Sequence, residues 1–208
     1  RMMRQTGAIQ PVLYAIQKGV DTQAVKIGDV PEAPVDPAPA EVLSILKNRG
    51  IVILPVAKNS NYLSASFIIA PAADSSLVLL EKMAKQLVWL NLGGSKISDR
   101  GLLPVGKLPQ LTRIYLNDTK VTDSGLNYLK PLKRLQYLNL VNTAGSAKGL
   151  GQLTGLKALK NIYCYQTNIR ANDFSLLKQS FPLVNLDTGG YVVPTLAADT
   201  TEFKGSGK

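Results

Sequence analysis

Asp99 and Asp123 are two carboxylates 24 residues apart, the kind of pair that general acid–base hydrolysis would use. Each stands where a helix is expected to begin, where free backbone N–H groups and the helix dipole stabilise an acid without any chemistry. Ser95, Thr119, Thr143 and Thr167 place a hydroxyl at the same interval. A hydroxyl nucleophile needs a base, and the chain has no histidine. Ser-His-Asp and Cys-His catalysis are thereby excluded, as are zinc fingers and covalent haem attachment. The one cysteine, Cys164, has no second thiol for a disulfide and reads as a small buried apolar residue. Gly149 to Gly155 has the wrong spacing for a dinucleotide loop, and Gly205-Ser206-Gly207-Lys208 is read as having no helix after it to cradle a phosphate. The expectation is a protein that is not an enzyme and holds no metal or cofactor.

The common interval belongs to a larger pattern. Leu87, Leu111, Leu135, Leu159 and Leu183 are followed three residues on by Leu90, Ile114, Leu138, Ile162 and Leu186. Two further on stand Leu92, Leu116, Leu140, Cys164 and Thr188, then the hydroxyl column, then Ile97, Val121 and Ile169. This is L-x-x-L-x-L-x-x-(N/T)-x-L, the leucine-rich repeat. Ile97-Ser98-Asp99-Arg100-Gly101-Leu102 and Val121-Thr122-Asp123-Ser124-Gly125-Leu126 continue it as the bacterial variety does, (I/V)-(T/S)-D-x-G-L. The fold expected is an α/β right-handed solenoid with a parallel sheet on its concave face and helices on its convex face. The hydroxyl column is expected to bond backbone groups of neighbouring turns.

Five stretches follow. Residues 1–27 read as a helical remnant of a preceding domain, with Ile9, Val12, Leu13 and Ile16 on one face. Residues 28–40 carry four prolines and the acids Asp29, Glu32 and Asp36, and read as an extended linker. Residues 41–86 read as an N-terminal cap with a short helix, a buried strand at Ile51–Leu54 stopped by Pro55, and a degenerate first repeat. In that repeat Leu63, Ser66 and Ile68 align with Leu87, Leu90 and Leu92, and Asp74 caps a helix. Residues 87–191 are the repeats. In each, Thr122, Asp123 or an equivalent caps a helix whose apolar face is Leu126, Leu129 and Leu132. Residues 192–208 read as an extended tail over the last repeat. The chain starts at Arg1 with no signal peptide, so it is read as a piece of something longer. No apolar run approaches the roughly 18 residues of a membrane helix.

Charge is unevenly spread. Residues 81–180 hold 15 Lys and Arg against 5 Asp and Glu. Lys82, Lys96, Lys107, Lys120, Lys130, Lys133, Lys148, Lys157 and Lys178 fall in turns and on the helical side, as a solvated outer face requires. Aromatic residues do not interleave with them, so nucleic acid is not the expected partner.

The outward positions of the strands differ in kind. Alternation along each strand exposes Trp89, Asn91 and Gly93; Arg113, Tyr115 and Asn117; Tyr137, Asn139 and Val141; Asn161, Tyr163 and Tyr165; Asn185, Asp187 and Gly189. Aromatic and amide groups with few charges give large contact area at low entropic cost. The expected partner is a protein or peptide, with a glycan as the alternative. The candidate contacts are Trp89, Asn91, Arg113, Tyr115, Tyr137, Asn139, Tyr163, Tyr165 and Asp187. Trp89, Tyr115, Tyr137 and Tyr163 would be anchors, and Arg113 and Asp187 would set orientation. A third reading makes the domain an assembly spacer whose basic outer face docks to its parent protein or to anionic lipid.

Longer strings carry a closer resemblance. Gln86-Leu-Val-Trp-Leu-Asn91, Tyr137-Leu-Asn-Leu-Val-Asn-Thr143, Tyr163-Cys-Tyr-Gln-Thr167, Asp187-Thr-Gly-Gly-Tyr191 and the tail Val193 to Thr200 resemble the C-terminal repeat domain of certain bacterial envelope proteins. Those proteins have a membrane-spanning front part and a planctomycete-type cytochrome c domain. The resemblance implies an extracytoplasmic location. It carries no electron-transfer role onto this chain, which lacks the C-x-x-C-H haem motif.

Overall fold

A computed structural model describes residues 28–69 and 74–189. The helix expected over residues 7–19 and the tail from residue 192 lie outside them. Helix α1 (Ala40–Asn48) opens with Glu41 in its first turn and buries Val42 and Leu46. It stops where Gly50 takes φ +79°. Seven strands follow in sheet order equal to chain order: β1 (Val52–Pro55), β2 (Leu63–Ser66), β3 (Leu87–Asn91), β4 (Arg113–Tyr115), β5 (Tyr137–Asn139), β6 (Asn161–Tyr163) and β7 (Asn185–Asp187). Short helices cross behind them: α2 (Asp74–Leu77), α3 (Leu102–Val105), α4 (Asp123–Leu126), α5 (Ala147–Gly151) and α6 (Asp173–Ser180). From β3 to β7 each residue pairs with the one 24 places on, as in Leu90 with Ile114 with Leu138 with Ile162 with Leu186. The molecule is a leucine-rich-repeat solenoid. Among the described residues no helix is long and apolar enough to cross a membrane.

One continuous core runs the length of the array. Leu87, Leu90, Ile114, Leu138 and Ile162 of β3 to β6, Ile97, Val121 and, behind the sheet, Leu126, Leu129 and Leu132 are all fully buried. Each such side chain stabilises the fold by roughly 1.5–3 kcal/mol. Cys164 lies in the same core, where burial, and after it the charge of Asp187, pushes its thiol up to about 11. It is inert packing, as expected.

Three local expectations are corrected. The first concerns register. Leu63 pairs with Leu87, but Ala65 rather than Ser66 stands opposite Leu90, because a bulge leaves Val88 without a partner. Phe67, not Ile68, then fills the inward place beside Leu92, and Ile68 is 63% exposed. Burial decides this: the frame that puts Ala65 and Phe67 inside hides no hydroxyl. The second concerns β1, which runs antiparallel to β2 and exposes Val52 and Leu54. It is an edge strand with one covered side, and Pro55 belongs to it as its last residue. The third is Leu183, expected inward and found 92% exposed. Among the described residues no rung follows β7, and Phe181 takes the buried place at that end.

The column of hydroxyls works inside its own turn rather than between turns. Ser95, Thr119, Thr143 and Thr167 each donate to the carbonyl three residues back, at 2.6, 2.6, 2.7 and 2.8 Å. The preceding residues, Gly94, Asp118, Asn142 and Gln166, all have positive φ. That tight reversal brings the hydroxyl onto the carbonyl that ends the strand.

The carboxylates do bridge repeats. Asp74 accepts from the backbone N–H and hydroxyl of Ser98, Asp99 from those of Thr122, and Asp123 from those of Ser146, at 2.6–2.9 Å. The hydroxyls in turn accept from the N–H groups of Arg100, Ser124 and Lys148 and cap the helices. So Thr122 caps its own helix, while Asp123, expected to share that task, tethers the next one. The space this takes explains the glycines. A Cβ at Gly101, Gly125 or Gly149 would come within 2.1–2.4 Å of the preceding repeat's carboxylate. Where Ala147 replaces the acid the tether ends, and the equivalent of those glycines becomes Asp173, which bonds its own turn at Arg170.

Candidate functional site

The outward residues form rows across the strands. Trp89, Arg113, Tyr137, Asn161 and Asn185 make one row; Asn91, Tyr115, Asn139, Tyr163 and Asp187 make the next. Aromatic rings alternate between the rows from rung to rung. Tyr115 and Tyr137 have ring centroids 5.0 Å apart and tilted by 42°, and Tyr137 and Tyr163 are 4.8 Å apart and tilted by 35°. Such contacts add about 0.5–1.5 kcal/mol each beyond the area they bury. The three rings are half-buried and make one zigzag band over β4, β5 and β6. Burial first, and then the neighbouring phenols Tyr115 and Tyr163, hold the Tyr137 hydroxyl protonated well above its ordinary range.

Trp89 and Arg113 are brought together differently. The Arg113 guanidinium sits 4.7 Å over the indole. Both donate to Asp29, 84 residues before Arg113: Trp89 Nε1 to Oδ2 at 2.9 Å, Arg113 Nη2 to Oδ1 at 3.0 Å, and Arg113 Nε to Oδ2. Asp29 is 8% exposed. Burial works against the Arg113 charge, but the hydrogen bonds and charge of Asp29 outweigh it and raise the guanidinium further. Sequence reasoning missed Asp29. Its only signal was an acidic, proline-held stretch preceding a basic body.

Asp29 is one point on a strap. The segment turns at Gly28 and Asp29, bends at Val30, Glu32 and Ala33, and lies against the first rungs instead of standing away from them. Tyr62 Oη donates to the Ala33 carbonyl at 2.8 Å, Asn61 to Val35 at 2.9 Å and Gln86 to Asp36 at 2.9 Å. Val30 and Val35 pack on Val56, Tyr62, Val88 and Trp89, a small core that the bulge at Val88 creates. Asp29→Ala should lower stability by about 1.5–3 kcal/mol, as loss of hydrogen bonds to a charged, part-buried partner does. It should also shift the emission of Trp89, the one tryptophan. An unchanged spectrum would mean that the strap does not rest on the indole.

The remaining candidates serve the backbone as well as the face. Asn91, Asn139 and Asp187 each accept, through a side-chain oxygen, from the N–H two residues on, at 2.9–3.0 Å. This closes the strand ends, and in Asn91 and Asn139 these bonds engage the amide oxygen. Tyr165 is 45% exposed and lies over Gly189, whose absent Cβ would meet the ring at 2.3 Å. All nine lysines of the expected outer face are exposed, and Lys107 pairs with Glu81 at 2.9 Å.

No protein-family model and no curated protein sequence matches the chain. Solved structures similar to it include an internalin of Listeria monocytogenes, 24% identical with a TM-score of 0.44, over 54% of this chain and 31% of the internalin. A leucine-rich-repeat protein of Leptospira interrogans is 21% identical with a TM-score of 0.40, over 53% of this chain and 33% of that one. The PEPR1 chain of a PEPR1–AtPEP1 structure is 17% identical with a TM-score of 0.40, over 64% and 19%. The matched part of this chain therefore spans about a third or less of each. The fold assignment stands on the chain's own register of strands.

Proposed function

We propose that the chain is a non-catalytic module that binds a protein or peptide on its sheet face. The observation that carries this reading is the tyrosine band. Tyr115, Tyr137 and Tyr163 present pre-ordered ring area on three consecutive rungs, and ordering it in advance reduces what association costs. Trp89 and Arg113, held by Asp29, form the wall at one end; Asn139, Tyr165 and Asp187 surround the other. Replacing Tyr115 and Tyr163 together by Ala should weaken partner capture by at least about a hundredfold while circular dichroism stays unchanged, the effect of removing two interface anchors. Unaltered capture would remove the sheet face from consideration. The same rings suit the flat faces of sugars, and an array of envelope glycans, free of protein, separates that alternative. The exposed lysines support the spacer reading, which requires strong salt dependence and indifference to the tyrosines.

The wider setting follows from the resemblance in the longer strings. We place the chain outside the cytoplasm, as the repeat portion of a larger membrane-anchored cytochrome-type protein. In that setting residues 1–27 lead from the preceding domain and 28–40 join it to the cap and the repeats.

A further inference from the structure

The sheet face already holds one proline-bearing segment, and the way it does so bears on a second. Five side chains of the repeat body, Asn61, Tyr62, Gln86, Trp89 and Arg113, donate hydrogen bonds to the strap. Three of these bonds end on main-chain carbonyls, at Ala33, Val35 and Asp36. A proline-held chain suits such a surface, because proline has no N–H to satisfy and leaves its carbonyls turned out. The described strap ends beside Arg113, and Tyr115, Tyr137 and Tyr163 continue the face from there with phenol donors and stacked rings.

We infer that the tyrosine band receives an extended, acidic, proline-stiffened segment of a partner protein, laid across the strands beyond the strap. This rests on the sheet-face reading above and specifies its partner. Two independent features support it. A polyproline helix advances about 9.3 Å in three residues. Strands lie about 4.8 Å apart, so Tyr115 and Tyr163, two rungs apart in one row, are separated by about 9.6 Å. Every third residue of such a chain therefore meets a ring of that row, with Tyr137 between them in the other. Charge agrees at long range, since the lysines stand in turns and on the helical side and not on the tyrosine band itself. Residues 81–180 carry 15 basic against 5 acidic residues, and of the strap's acids Asp29, Glu32 and Asp36, Asp29 is held by Arg113. The mode of recognition is that of aromatic grooves for proline-rich chains.

The test uses the whole chain and a labelled synthetic copy of residues 28–40, with two controls: the four prolines changed to alanine, and the three acids changed to lysine. In fluorescence anisotropy at low salt the parent peptide should bind, and each control should bind about tenfold more weakly. Tyr137→Ala should weaken the parent peptide by at least about tenfold, and Tyr137→Phe, which keeps the ring, should retain most of the affinity. Trp89 emission should stay unchanged, because the strap remains seated. Equal binding of the alanine control overturns the inference and leaves the sheet-face reading standing. Binding that alters Trp89 emission and ignores Tyr137→Ala places the peptide in the strap's own seat and also overturns it. No binding of any peptide at about 1 mM does the same. If the Tyr115 and Tyr163 double variant keeps its natural partner, the earlier reading falls with this one.

Discussion

Leu138→Ala should destabilise the chain by about 2–5 kcal/mol, a large share of the roughly 5–15 kcal/mol that holds a domain together. Leu138 is fully buried in β5, with Ile114 and Ile162 directly beside it on the neighbouring rungs. Truncation leaves a cavity in the middle of a stack whose units touch only their neighbours, so relaxation cannot draw atoms from elsewhere. The loss should also spread along the array. Each repeat is stabilised by the interfaces it shares, and hydrogen exchange should rise in β4 and β6 together with β5. Denaturant melts measure the first effect; a shift under about 1 kcal/mol would mean that Leu138 is not an interior rung of the core.

Gly125→Ala should cost about 1–3 kcal/mol, although alanine is the better helix former by about 0.5–1 kcal/mol. The reason is Asp99. A Cβ on residue 125 would lie 2.4 Å from its Oδ1, and that carboxylate is fixed by the N–H of Thr122 at 2.7 Å and its hydroxyl at 2.6 Å. Alanine must push the carboxylate off both donors. Asp99→Ala removes the same bonds and the obstruction at once. The double variant should therefore cost little more than Asp99→Ala alone, a coupling of at least about 1 kcal/mol in a double-mutant cycle. Additive losses would show that the glycine answers to something other than the carboxylate. The chain contains its own control at Ala147 and Asp173, where the acid is absent and the glycine position is occupied.

The periodic part of the fold was legible because a solenoid repeats one local rule. Leucine at a fixed spacing must face inward, and the spacing itself sets which residues pair across strands, as Arg113 with Tyr137 or Tyr115 with Asn139. Which outward residues share the face was legible for the same reason. The ends were less so. At Val88 a bulge moves the frame by one residue, and the choice between Ser66 and Ala65 as the inward residue depends on what the interior accepts. Leu183 belongs to the last described rung, and an inward address does not bury a side chain that no further described rung covers. The acids were read as helix caps because capping is a local rule; tethering the next repeat is not local.

The amino-acid order alone set the beat of the array, the row in which each strand residue stands and the basic sign of the body. Those properties follow from nearest neighbours and from counting. The folded chain decided the rest. It closed Tyr115, Tyr137 and Tyr163 into one zigzag band, committed Trp89 and Arg113 to Asp29, and made each tethering carboxylate the reason for a glycine one repeat later. Contacts between residues 23 to 84 positions apart depend on where whole rungs come to rest in space, and no short window of residues carries that distance.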